Sequence, residues 1–357
     1  MRRDYRGLLA WQGAPAEGRL EDVLFRDTLL HRNVLAGLLR SAADQGLYLG
    51  TSSWKYKGWL GSVYEQSRYI YRGRFSETRF NRHCLKEYGE QFQTVGVDAA
   101  YYQFPSHELL SDWFDATPGT FLFSMKVTDE ITLKRFPRLP RFGARAGTVN
   151  PDFLNSKKFI DLFLGPCSPW QARVGVLMFE FSRFHASDFS RGRDFVDALD
   201  TFLSELPSGW RYGVEIRNGS FLQPYYFEVL RRHAVAHVFT SWDGMPSIEE
   251  QISVPGAMET ADFLAARLLL RPGRSYAEAV QRFSPYQEIK EPLLNVRQAT
   301  VELLGKARSK AKSPKAFIYV NNRLEGNAPQ TIQGILESLG PPESAHPSSG
   351  AVSELLT

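Results

Sequence analysis

Eight short apolar runs of strand length recur along the middle of the chain: Leu47–Gly50, Thr94–Val97, Phe121–Met125, Val174–Phe179, Tyr212–Ile216, Ala236–Thr240, Leu264–Leu270 and Ala316–Val320. Most are separated by stretches with apolar residues at helical spacing, namely Glu77–Phe92, Ser106–Ala116, Phe153–Leu164, Asp194–Leu206, Tyr225–His233 and Leu293–Ala307. Strands alternating with helices imply right-handed crossovers and a parallel sheet. Eight such units over roughly 290 residues match the size of a closed (β/α)8 barrel. An open doubly wound sheet is the competitor, but it usually carries a glycine phosphate loop, and neither G-x-G-x-x-G nor G-x-x-x-x-G-K-[ST] occurs. The pattern therefore predicts an α/β fold, a TIM-type barrel over residues 46–340. An N-terminal extension, 1–45, carries a helical stretch from Leu20 to Ala43, and a Pro/Ser-rich tail, 341–357, is expected to be disordered.

Composition narrows the class. With 43% hydrophobic and 23% charged residues in 357, the chain is globular, not fibrous or disordered. Lys+Arg 43 against Asp+Glu 39 leaves +4, and arginine carries most of the basic excess. Two cysteines, Cys84 and Cys167, make neither a disulfide framework nor a zinc site by themselves. No apolar run reaches the length of a membrane span, and Met1-Arg2-Arg3 leads into no apolar signal core. The expectation is a cytoplasmic protein without membrane partner, cofactor or metal; the seven histidines show no H-x-H or H-E-x-x-H spacing.

In a barrel, chemistry gathers at the C-terminal ends of the strands. Those ends read Ser52, Ser53 and Trp54; Asp98; Lys126; Glu180; Glu215 and Arg217; Trp242 and Asp243; Arg271; and Asn321 and Asn322. Period-two alternation places Tyr212, Val214 and Ile216 on the helix-facing side, so Glu215 and Arg217 point into the barrel, and Ser124 and Lys126 likewise oppose Phe123 and Met125. A Glu–Arg pair that merely closes the barrel top is the structural alternative. Two basic stretches, 68–86 and 134–145, follow strands and should emerge on the same face, where cations interleaved with aromatics neutralise phosphates and stack bases.

The strand-end residues resemble the YecE-like family, also called domain of unknown function 72. The matching stretches are Gly50-Thr51-Ser52-Ser53-Trp54 with Trp59; Phe92-Gln93-Thr94-Val95 with Tyr101-Tyr102-Gln103-Phe104-Pro105-Ser106; Val214-Glu215-Ile216-Arg217; His237 through Trp242; and Tyr319-Val320-Asn321-Asn322 with Gly326-Asn327-Ala328. The resemblance implies a TIM barrel and supplies no reaction. The chain departs from the family's pattern at Gly96, where a glutamate is usual, at Glu180, where a glutamine is usual, and at Leu133, where a histidine is usual.

The sequence thus points to a site at the barrel mouth for a phosphorylated or otherwise anionic ligand, nucleic acid included. Lys126 and Arg217 would hold the anion, and Glu215 would act as acid or base with Asp243 or Glu180 as second carboxylate. Asn321 and Asn322 would orient the ligand, Trp54 would stack on it, and Ser52 and Asp98 would complete the binding set. The alternatives are a metal-independent glycoside-type hydrolase using paired carboxylates, and a non-catalytic binding or scaffold barrel. Whether the protein is an enzyme, and its oligomeric state, stay open at this level.

Overall fold

The structure, a computed structural model, describes residues 32–341. Residues 1–31 and 342–357, with the first part of the expected N-terminal helix and nearly all of the expected tail, lie outside that range. Eight parallel strands form one sheet: β1 (Leu47–Thr51), β2 (Thr94–Val97), β3 (Leu122–Lys126), β4 (Val174–Phe181), β5 (Tyr212–Ile216), β6 (Ala236–Ser241), β7 (Leu264–Leu268) and β8 (Ala316–Val320). They pair in the order β1-β8-β7-β6-β5-β4-β3-β2. A parallel bridge between Ser52 and Gly96 brings β1 back to β2, giving a barrel wrapped by helices.

The closing seam is built differently from the other seven. Ser53 N–H donates to the Gly96 carbonyl at 2.9 Å. Below it the Tyr88 hydroxyl bridges the strands, accepting from Thr51 N–H at 3.1 Å and donating to the Thr94 carbonyl at 3.2 Å. A glycine at position 50 permits this close approach, because a Cβ there would lie 2.4 Å from the Thr94 carbonyl oxygen. Gly96 leaves room in the same way for the Tyr319 ring, which a Cβ would meet at 3.0 Å.

Alternation divides the apolar residues into two bodies. Val95, Phe123, Met125, Phe179, Val214, Ile216, Phe239, Ile318 and Val320 face the helices and belong to the main core. Leu122, Val176, Met178, Ala236, Val238, Phe263, Ala265, Phe317 and Tyr319 fill the barrel interior. One irregularity decides what reaches the mouth. Phe123 lies opposite Val174 and Met125 opposite Leu177, so β4 has one residue more than β3 across this interval, a bulge at Gly175 and Val176. Val174 packs outward, but Val176 and Met178 turn inward. The extra residue therefore carries Glu180 to the inside; unbroken alternation from Val174 would send it to the helices.

Differences from the sequence reading are local. The run at 264–270 ends as a strand at Leu268. The helix expected from Phe153 starts at Ser156 and loosens into a π-turn over Ile160–Leu164. The basic stretch 68–86 is no single loop: it contains a two-residue hairpin, Ile70–Tyr71 with Arg74–Phe75, and the first part of the helix Glu77–Gln91. The described part of the N-terminal helix, 32–44, lays Leu35, Leu39 and Ala42 on the main core, and Arg32 reaches Glu87 at 3.0 Å.

Gly50→Ala should force the β1–β2 seam apart and lower unfolding stability by about 1–3 kcal/mol, the usual cost of overpacking. Gly305→Ala, in an exposed helix position with open space around it, should instead raise stability by about 0.5–1 kcal/mol. Urea denaturation of the two variants beside wild type checks both signs.

Candidate functional site

The upper layer of the barrel interior is ionic. Arg267, inward on β7, donates from Nη1 to Glu180 Oε2 at 3.0 Å and to Glu215 Oε2 at 2.8 Å, and from Nη2 to Asp98 Oδ1 at 3.1 Å. Arg217, just past β5, places Nη2 at 2.6 Å from Glu215 Oε1 and 3.3 Å from Glu180 Oε2. Lys126, closing β3, puts Nζ 2.6 Å from Glu180 Oε2. Thr240 on β6 donates to Glu215 Oε1 at 3.2 Å. Three cations and three carboxylates from four strand ends and the residue after β2 thus share one balanced network.

Burial sets the character of each member. Glu215 is fully buried and has a guanidinium on each oxygen. Burial alone would raise the Glu180 pKa, but Lys126, Arg217 and Arg267 outweigh it and hold the carboxyl well below its ordinary range. Burial would lower the Arg267 pKa, yet Glu215, Asp98 and Glu180 raise it further above an already high value. Asp98, with 38% of its side chain exposed, is the carboxylate of the three that meets solvent.

Aromatic rings enclose the cations. The Lys126 ammonium sits 3.5 Å from the Tyr101 ring centroid, and the Arg217 guanidinium 4.0 Å from that of Trp242. Burial first, then Glu180 and Asp129, push the Tyr101 hydroxyl up from its usual pKa, so it stays a neutral phenol. Among the described residues, Arg217 Nη1 is buried with no hydrogen-bond partner, as is Ser52 Oγ just past β1.

Of the residues singled out from sequence, Glu215, Glu180, Lys126, Arg217 and Asp98 converge here. Trp54 does not. It turns back into the core, edge-on to Trp113 with ring centroids 5.7 Å apart, and cannot stack on a ligand in the mouth. Asp243 is exposed and accepts from Gly273 N–H at 3.1 Å, outside the network. Asn322 caps the helix Ala328–Leu339 by accepting from Ala328 N–H at 2.8 Å, while Asn321 is buried at the end of β8 and holds the turn through Arg323 N–H at 3.0 Å. Arg271 lies past the end of β7, paired with Glu291.

Sequence reasoning missed Arg267, Thr240 and Tyr101. Arg267 had a signal: it shares a strand face with Ala265, opposite Leu264, Ala266 and Leu268. The geometry also speaks against Glu215 as acid or base: it is fully buried, with Arg217 and Thr240 on one oxygen and Arg267 on the other, and presents no exposed oxygen to a ligand. His237 faces the helices beside Tyr226, and burial pushes its pKa down to about 4, the mark of a neutral core histidine. Among the described residues no group of three His, Cys, Asp or Glu side chains is placed to hold a metal ion.

Residues 48–352 match the family model described as Protein of unknown function DUF72. Among solved structures, the chain is similar to a DUF72 family protein from Thermotoga maritima, at 18% identity and TM-score 0.54 over 82% of this chain and 98% of that one. It is similar also to a DUF72 family protein from Enterococcus faecalis, at 18% identity and TM-score 0.55 over 82% and 97% of the two chains. No curated protein matches the chain.

Two outcomes follow from the network. Arg267→Met should cost about 3–5 kcal/mol of unfolding stability, the range for removing one partner of a buried ion pair. Because the folded Glu180 carboxyl lies well below the 4.5 of a free glutamate, its contribution is complete above pH 4.5 and is lost as pH falls further. Wild-type stability should thus drop steeply below that pH, and the drop should be shallower in Glu180→Gln. Denaturant titrations from neutral pH downward measure both.

Proposed function

We propose, on the premise that the chain belongs to the DUF72 family, that its barrel mouth binds a small anionic ligand, phosphorylated or otherwise rich in oxygen. The observation that carries this reading is Arg217 Nη1, a buried guanidinium nitrogen without a hydrogen-bond partner among the described residues. Leaving a buried donor unmade costs about 1–3 kcal/mol, more when it is charged, and a ligand oxygen would remove that cost. Ser52 Oγ, inward-facing by strand parity and equally unpartnered, is a second donor in need of an oxygen.

The internal balance of three cations against three carboxylates means that the ligand is held by directed donors rather than by surplus charge. Lys126 and Arg217 hold the anion, Asn321 and Ser52 orient it, and Asp98 accepts a ligand hydroxyl. Any proton exchange with the ligand falls to Asp98, since Glu215 is sealed and Glu180 is kept ionised. The glycoside-hydrolase alternative needs a carboxyl protonated near neutral pH and open to the substrate; Glu180 is held well below its ordinary range and Glu215 is fully buried. A scaffold barrel is the reading that remains if no ligand binds.

Titration with inorganic phosphate and a sugar phosphate, followed by thermal shift at low and high salt, tests the proposal. Wild type should be stabilised by at least one of them. Lys126→Ala should bind roughly tenfold more weakly, as for about 1.4 kcal/mol, and still fold, because Glu180 keeps two guanidiniums. Arg217→Ala should lose both affinity and stability. Absence of any stabilisation at low salt, or unchanged binding by Lys126→Ala, would leave the scaffold reading standing.

A further inference from the structure

Beside the mouth, the segments that follow β3 and β4 wall a groove of about 490 Å³. One wall is the excursion 133–150, which is firmly built. Arg135 and Val149 form an antiparallel bridge, Phe136 N–H donates to the Thr148 carbonyl at 3.0 Å, and Gly147 N–H donates to the Phe136 carbonyl at 2.8 Å. Leu133, Phe136 and Phe142 give it a small core of its own. The other wall is 182–188, where His185 N–H donates to Asp188 Oδ2 at 3.0 Å and Asp188 N–H returns to the His185 carbonyl at 2.8 Å.

The lining charge is one-sided. Lys134, Arg135, Arg138 and Arg183 face a single carboxylate, Asp188. Arg135 lies 3.5 Å from Asp188, and Arg138 and Arg183 have no ion-pair partner among the described residues. This contrasts with the compensated mouth, and it contrasts equally with the neighbouring Arg141 and Arg145, which pair with Asp129 and Glu130 at 2.6 and 2.5 Å. Lys134, Arg135 and Arg138 belong to one wall and Arg183 to the other, a distribution suited to a chain of charges. Outside the lining of the groove, on the side of the excursion toward the mouth, the Arg141 guanidinium lies 5.0 Å from the ring centroid of Tyr102, a tyrosine 64% exposed. A bare aromatic face backed by a cation is a stacking surface for an unpaired base.

We propose that this groove binds a single nucleic-acid strand, with its phosphates along Lys134, Arg135, Arg138 and Arg183 and one base carried beyond the groove's lining onto Tyr102. A strand is favoured over inorganic polyphosphate because the exposed ring has no use for a chain without bases. It is favoured over a duplex because stacking on Tyr102 needs a base freed from its partner. None of the four cations belongs to the ionic network of the mouth, so the proposal stands or falls separately from ligand binding there.

The test is fluorescence anisotropy of a labelled oligothymidylate of about 15 nucleotides, within the range of single-strand sites, over a salt series with the full chain. Each phosphate contact adds about 0.7 to the slope of log affinity on log salt for single strands. The exposed pair Arg138→Ala/Arg183→Ala should therefore lower the slope by about 1.4 and leave the response to inorganic phosphate unchanged. Tyr102→Ala should weaken binding roughly fivefold or more, the low end of base-stacking contributions, and Tyr102→Phe should restore it. Failure of wild type to bind the oligonucleotide at low salt would overturn the proposal, as would a wild-type slope in the double variant. So would tighter binding of polyphosphate with no effect of Tyr102→Ala. Loss of oligonucleotide binding in Lys126→Ala with none in the double variant would assign the strand to the mouth and remove it from the groove.

Discussion

Arg267 is the point on which the barrel mouth depends. A guanidinium offers a rigid fork of donors, and here that fork reaches carboxylates from β4, β5 and the end of β2, tying together positions 87, 52 and 169 residues away in sequence. In most barrels this layer is filled with branched aliphatic side chains. Replacing them with six ionised groups carries a large desolvation cost that mutual attraction repays only when every lone pair and proton is matched. The arrangement is matched at Glu215, which accepts from two guanidiniums and a hydroxyl, and it is unmatched at Arg217.

The architecture was legible because alternation and helical spacing are both written in the apolar positions. Tyr212, Val214 and Ile216 on one face were enough to send Glu215 and Arg217 inward, and five strand-end residues that converge were visible as polar groups after apolar runs. Arg267 was harder to see. It lies inside the apolar run at 264–270, where a charge reads as an interruption of the strand rather than as a member of its inner face. Trp54 and Asp243 show the opposite error. Both follow a strand closely in sequence, but the chain has already turned by then, and Trp54 folds back under Trp113 while Asp243 braces the loop at Gly273. Proximity to a strand end marks a candidate; only the turn decides where its side chain goes.

The same limit applies to charge. Residues 134–145 contain five cations and no acid, which suggests a uniformly basic patch. In space, acids from other segments neutralise part of it: Asp129 answers Arg141, Glu130 answers Arg145, and Asp188 stands near Arg135. What survives compensation is the smaller set along the groove wall. The basic stretch 68–86 is thinned similarly, with Arg68 set among Glu65, Glu87 and Glu90. A composition count cannot perform that subtraction, because the neutralising partners are distant in the chain.

The bulge in β4 has a consequence for how this site could have arisen and could be lost. Glu180 belongs to the mouth because one additional residue at Gly175 and Val176 inverts the facing of everything downstream in the strand. A single-codon deletion there would keep every amino acid of the ionic layer encoded and the outer helices untouched. It would nevertheless expel one carboxylate from the barrel, leaving three cations with two counter-charges, and would bring Phe179 or Phe181 inward in its place. The charge of the mouth is thus governed by the reading length of one strand as much as by residue identity. Divergence in such a lineage would be sought in strand insertions and deletions before it is sought in substitutions.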